Sequence, residues 1–303
     1  MLSSQVNATV DGGLNQDTLR REARRETWKA FALLSPGMAV VCLAILVPIG
    51  WLFALSLFDE QGRPSFENYA RLVEQRSYIQ TFITTFQIAF TVTGVCIVLG
   101  YPLAYMLSQL PRRIAQIGLI CVLLPFWTSV LVRTYAWLVL LQRRGLVNTW
   151  LTDLGIVSQP IAFINNFNGV VIGMTHILLP FLVLPLYASM RSIDKDCLRA
   201  SLNLGASPIA AFWQVFLPLS IPGLVSGVVM VFVLSLGFYI TPALMGGGRV
   251  VMWAMRIEQT ASLYTNWGAA SALGVVLLVT TLIILGLFQW RLGSRAAAAW
   301  NAR

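Results

Sequence analysis

Charge is what this sequence has least of. Asp, Glu, Lys and Arg together make up 11% of its 303 residues, and hydrophobic residues make up 57%. Soluble domains carry roughly 25% charged residues, so this chain cannot cover a water-facing surface with polar groups, and a soluble fold is excluded. Histidine is nearly absent: His176 stands alone, and with no CxxC and no HExxH a dedicated metal centre is not expected. The cysteines Cys42, Cys96, Cys121 and Cys197 are no disulfide framework, since the first three fall inside apolar stretches. Only two lysines occur, Lys29 after Trp28 and Lys195 after Asp194, so there is no GxxxxGK[ST] loop and no phosphate-binding ATPase within the chain. All twelve acidic residues fall outside the long apolar runs. That argues against a proton relay through the membrane, and no nucleophile–base pair argues for an enzyme.

Long uncharged runs are what the sequence does have. They predict an all-α integral membrane protein with six spans, near residues 31–57, 82–107, 114–141, 169–190, 217–239 and 268–290. A run of about 27 residues reaches about 40 Å at ~1.5 Å per residue, enough to cross a bilayer with some tilt. The predicted organisation is a tail over 1–30, a six-helix domain over 31–290 and a second tail over 291–303. Residues 14–28 read either as a basic interfacial helix or as a solvated tail, and no signal-peptide cleavage pattern follows them. Pro180, Pro185, Pro218, Pro222 and Pro242 are expected to break helices where backbone groups line a cavity.

Net charge is +9, but the cations are sparse and lie between apolar blocks, which is no nucleic-acid footprint. Their distribution instead sets a topology. Thirteen Lys and Arg lie on the side of the N-terminus and seven on the other, leaving Arg133 inside the third span. The positive-inside rule then places both termini in the cytoplasm. The segments 59–80, 142–168 and 241–267 lie outside, and 191–216 is a long, partly apolar cytoplasmic loop.

That loop reads as a short helix, a break and a second helix leading into the fifth span. Leu198, Leu202 and Leu204 give the first helix an apolar face, and Gly205 permits the turn. Ser207 and Pro208 restart the chain as cap and first helical residue, and Ile209, Phe212, Trp213 and Phe216 form the next face. A partly apolar hairpin outside the bilayer needs a surface to dock against, either its own bundle or a partner.

Leu204-Gly205-Ala206-Ser207 followed by FWQVFLPLSIPG over 212–223 resembles the "EAA" loop of binding-protein-dependent ABC importer permeases. Pro125-Phe126-Trp127-Thr128-Ser129, then Arg133-Thr134-Tyr135-Ala136-Trp137, the ILLPF run 177–181 and GFYITPALMGG over 237–247 are similar to the spermidine/putrescine-type (PotB- or PotH-like) subfamily. The resemblance covers residues 31–290. It implies a type I, MetI-like importer permease fold in a bacterial inner membrane. It also implies a second related permease, two ATPase subunits that bind ATP and Mg, and a soluble periplasmic or lipid-anchored binding protein. This chain itself would bind no cofactor. ATPase coupling would fall to Asp196, Arg199, Ala200, Ser201, Leu204, Gly205, Ala206 and Ser207. The pathway or its gate would fall to Trp127, Thr128, Ser129, Arg133, Tyr135, His176, Phe238, Tyr239 and Thr241.

Two departures stand out. The glutamate that opens the family motif is Arg199 here, with Asp196 one turn earlier as a substitute anion. And Ala243 sits where polyamine relatives have room for an acid, leaving no carboxylate in the spans for a polycation. Aromatic faces are the remaining cation guides. The implied cargo is a polyamine. The alternatives are an amino-acid derivative, opine, quaternary amine or other small solute, and, outside this class, a stand-alone secondary carrier.

Overall fold

The computed structural model describes residues 12–58 and 63–301, with side chains described for 24–29, 31–58 and 63–288. The expected tails therefore lie partly outside the described residues. The chain divides after Ala54 into two compact units.

The first unit is built on α1 (Gly12–Ser56), whose apolar stretch Arg24–Ser56 is long enough to span a bilayer. No break separates residues 14–28 from the span. The backbone is one helix through Pro36 and Pro48.

The second unit packs around three long helices, α3 (Arg76–Gln109), α7 (Phe167–Ser192) and α10 (Leu217–Leu236). Ile88, Val92 and Cys96 of α3 meet Met174, Leu178 and Leu182 of α7 and Val231 of α10 in one buried cluster. Small residues set how closely these helices approach. A Cβ on Gly227 would lie 3.0 Å from the Leu182 carbonyl oxygen, and one on Gly223 would collide with the Ser189 side chain. Close backbone approach of this kind substitutes for the hydrophobic drive that lipid does not supply. The last span belongs to α13 (Trp267–Asn301).

The third expected span is not one helix. α4 (Arg112–Leu123) runs into a 3₁₀ turn over Leu124–Trp127 and stops; α5 (Val130–Leu141) then leaves at a bend of 96° to the preceding segment. Pro125 has no N–H to give the preceding turn, and Thr128, with its extended backbone (ψ 152°), ends the helical run. Among the described residues, five helices are long and apolar enough to span the membrane alone, and the bent pair, counted as one broken span, brings the number to six.

The segments between spans are structured too. α2 (Glu67–Glu74), α6 (Leu146–Asp153), α11 (Ile240–Met245) and α12 (Trp253–Ser262) occupy them. The fifth span ends at Leu236, not at Tyr239, leaving Phe238 and Tyr239 in the connection to α11.

None of the five prolines breaks its helix. Pro180 and Pro185 lie within α7, Pro222 lies within α10, Pro218 follows a widened turn in a helical run unbroken from Pro208 to Leu236, and Pro242 lies in the first turn of α11, where no N–H is needed. Ahead of α10 the helix widens into a π segment over Phe212–Phe216, closed by the Leu217 N–H on the Phe212 carbonyl, and Ser220 Oγ donates to the Leu217 carbonyl at 2.8 Å.

Candidate functional site

Two regions carry the candidate residues. The first is the hairpin between α7 and α10. α8 (Lys195–Asn203) starts at Asp194, whose side chain accepts the Asp196 N–H at 2.9 Å. It ends in a Schellman motif: Gly205 N–H donates to Leu202 O, Ala206 N–H donates to Ser201 O, and Gly205 takes φ +87°. Two residues later Ser207 Oγ accepts the Ala210 N–H at 3.2 Å and Pro208 opens α9 (Pro208–Ala211). Ordinary capping chemistry thus folds LGASP into a rigid corner.

The two faces of the hairpin have opposite fates. Phe212 and Phe216 anchor its base, with their rings edge-on to Tyr105 at 5.3 and 5.1 Å between centroids. Leu198 packs onto the same cluster as the buried Met190 and Phe216. Leu204, by contrast, is 89% exposed, and Leu202, Ile209 and Trp213 are exposed beside it. The apolar set read from the sequence therefore divides, half clamping the hairpin to its own bundle and half facing outward. Asp196 and Arg199 pair with each other at 3.1 Å on the exposed surface.

The second region lies where α5, α7 and α11 meet. Arg133 is 7% exposed, and its Nε and Nη1 have no hydrogen-bond partner among the described residues. It stands within electrostatic reach of His176, whose ring meets Trp137 edge-on at 5.5 Å and whose buried Nδ1 is also unpartnered. Next to it, Thr134 and Thr241 share a hydroxyl–hydroxyl bond of 3.1 Å that ties α5 to α11. Gly173 lets α11 sit against α7, since a Cβ there would lie 2.6 Å from the Met245 sulfur.

The structure brings Arg133 and His176 together beside the Thr134–Thr241 bond and leaves the other pathway candidates outside that cluster. Trp127, at the bend, is 88% exposed, and Tyr135 and Tyr239 are exposed as well. Thr128 Oγ is held by the Pro125 carbonyl at 2.7 Å and Ser129 precedes α5 as its cap residue. Phe238 packs on the main core. Thr134 and Trp137, which the sequence offered only as part of a motif and not as site residues, join this cluster. The signal was the four-residue spacing of Arg133 and Trp137, which puts both on one helix face.

Comparison with known proteins adds three findings. Residues 96–296 match the family described as binding-protein-dependent transport system inner membrane component. The spermidine/putrescine transport system permease protein PotB of Haemophilus influenzae is 32% identical, over 86% of this chain and 89% of that protein. The inner membrane ABC transporter permease protein YdcU of Escherichia coli is also 32% identical, over 86% and 91% of the two chains. The fold is shared with a chain of the bacterial alginate ABC transporter, crystallised in complex with an alginate pentasaccharide-bound periplasmic protein. That likeness has a TM-score of 0.68 at 17% identity and covers 88% of this chain and 95% of the other.

Proposed function

The chain belongs to the family of binding-protein-dependent transport system inner membrane components, and from that premise we propose that it is the permease subunit of an ABC importer for a spermidine/putrescine-type polyamine. The observation that carries the cargo is the 32% identity to PotB across nearly the whole of both chains. In this reading a second, related permease supplies the other half of the pathway, and a soluble binding protein delivers the polyamine to the outer face. Two ATPase subunits, holding ATP and Mg, grip the cytoplasmic loops of the two permeases, one of them at Leu204–Ser207 of this chain. Both termini are cytoplasmic, consistent with the excess of Lys and Arg on their side.

The geometry suits a lever. Exposed Leu204, Ile209 and Trp213 offer an apolar docking surface, while Phe212 and Phe216 fix the hairpin to α3 and to the start of α10. Closure of the ATPases on bound nucleotide then moves the hairpin and the helices attached to it together. Arg133, His176 and Thr241 form the polar layer that this motion opens and closes.

One observation favours a second cargo. Arg133 is an unneutralised cation in a chain whose spans hold no carboxylate, which suits an amino-acid derivative carrying its own carboxylate.

Uptake of radiolabelled spermidine or putrescine by vesicles containing the chain with its genomic neighbours tests both readings. ATP- and binding-protein-dependent accumulation is expected. Uptake of a zwitterionic solute instead transfers the assignment to the second cargo. Accumulation without ATP marks a secondary carrier and ends the importer reading.

A further inference from the structure

A cavity of about 300 Å³ lies between α2, the start of α3, α12 and the start of α13. These elements belong to the connections at the end of the bundle opposite the α8–α9 hairpin. Two arginines line it, Arg71 and Arg256, with Asn68, Tyr78, Tyr264 and Asn266. The arginines differ in what balances them. Arg71 has a carboxylate partner one turn away on its own helix, Glu67.

Arg256 has none among the described residues. Its guanidinium lies over the Tyr78 ring, 5.5 Å from the centroid, and its Nε is buried without a hydrogen-bond partner among them. The π-face holds the cation in place but does not satisfy its donors. A planar fork of N–H donors fixed in a half-enclosed cavity matches a carboxylate in shape as well as in charge.

The walls are built to stay still. Trp253, one turn before Arg256, donates its backbone N–H to Thr85 Oγ1 at 2.8 Å and its indole N–H to the Leu273 carbonyl at 2.8 Å, both buried. Asn68 donates to the Ser56 and Phe58 carbonyls and is itself buried. At the rim, Thr265 takes φ +50°. That conformation is strained for a β-branched residue and gathers at functional loops. It lies between Tyr264 and Asn266, two residues of the lining.

We propose that this cavity is a carboxylate-receiving site that docks an acidic side chain of the binding protein, with Arg256 as the receiving group. The assignment rests on the reading that the chain serves a binding-protein-dependent importer with this end of the bundle outside. Charge complementarity selects the occupant: a soluble protein that must find and leave the outer face repeatedly is well served by a single desolvated ion pair.

The test is the affinity of the binding protein for the complete complex in nanodiscs, measured for wild type, Arg256→Gln and Arg256→Lys at low and high salt. The Gln variant is expected to weaken binding about tenfold at low salt, with the difference shrinking as salt screens the pair. The Lys variant should fall between the two, because it keeps the charge without the fork. Arg256→Glu should be rescued by exchanging one acidic surface residue of the binding protein for arginine. Unchanged affinity in the Gln variant, with the ATPase still co-purifying, overturns the site. Equal losses in Gln and Lys that salt does not alter also overturn it, since they mark a packing role. Failure of the wild-type complex to bind any binding protein overturns the importer reading itself, and the site with it.

Discussion

Arg191 Nη1 donates to the Ser108 carbonyl at 2.9 Å, joining the last turn of α7 to the last turn of α3, and reaches the Leu110 carbonyl at 3.1 Å as well. A cation on terminal carbonyls satisfies groups that a helix end leaves open. The pair sits directly before α8, so it fixes the base from which the hairpin projects. Arg191→Ala should lower stability by about 1 kcal/mol, since both bonds are charge-assisted but partly solvated. The thermal unfolding midpoint of the purified complex checks this. A drop with Arg191→Ala and not with Arg191→Lys identifies charge, and not packing, as the cause.

Gly205 is expected to tolerate no side chain. At φ +87° an L-residue with a Cβ pays ~1–2 kcal/mol, which the corner can avoid only by unwinding the Schellman turn. Nothing lies within 4 Å of the site a Cβ would occupy, so the penalty is conformational and not steric. Gly205→Asp should therefore reach the membrane normally and lose uptake, read as transport in vesicles with matched protein levels. Undiminished transport removes the hairpin from the coupling path.

The exposed pair Asp196–Arg199 contributes almost nothing to the fold, as isolated surface ion pairs are worth roughly 0–1 kcal/mol. Charge changes here should therefore act on association alone. Asp196→Lys is expected to reduce co-purification of the ATPase while Arg199→Glu is not. Equal tolerance of both shows that Asp196 does not replace the glutamate that the family motif carries at the position of Arg199.

Arg133 offers a separation of stability from function. Burying an unpaired guanidinium costs more than burying an apolar chain of similar length. Arg133→Met should leave the unfolding temperature unchanged or raise it, while lowering uptake at least tenfold, on the order of 1.4 kcal/mol. Gained stability with intact uptake makes Arg133 a bystander. Raised ATP hydrolysis without binding protein instead identifies a gate.

Gly173 tests the seat of the same cluster. A valine there meets Met245 and the Thr241 methyl group, and overpacking of this kind costs typically ~1–3 kcal/mol. Gly173→Val should displace α11 and break the Thr134–Thr241 bond, seen as lower thermal stability together with lost uptake. A variant as stable as wild type contradicts the close seating of α11 on α7.

Much of this was legible in the residues. Uncharged runs mark spans whatever their packing, and Gly205 with Ser207-Pro208 spells a helix stop and restart that capping chemistry enforces locally. What escaped depends on geometry that a linear pattern does not carry. The prolines of 217–223 read as breaks because nothing in the linear pattern marks the widened turn ahead of them, through which the helix runs on without interruption. The third span reads as continuous because its apolar run carries no charge but Arg133, although Thr128 is extended. Exposed Trp127 and buried Arg133 belong to one motif in sequence, yet the bend between them sends one out and one in.

The widened turn at Phe212–Phe216 has a consequence for how this segment can change over time. A π turn holds one residue more than the α turn it replaces, and the helix before and after it keeps its own phase. Losing a single residue there would tighten the turn without rotating α10 by the ~100° that a deletion elsewhere in a helix imposes. The junction between hairpin and bundle is thus where the gene can shorten by one codon and leave the faces of α9 and α10 aligned.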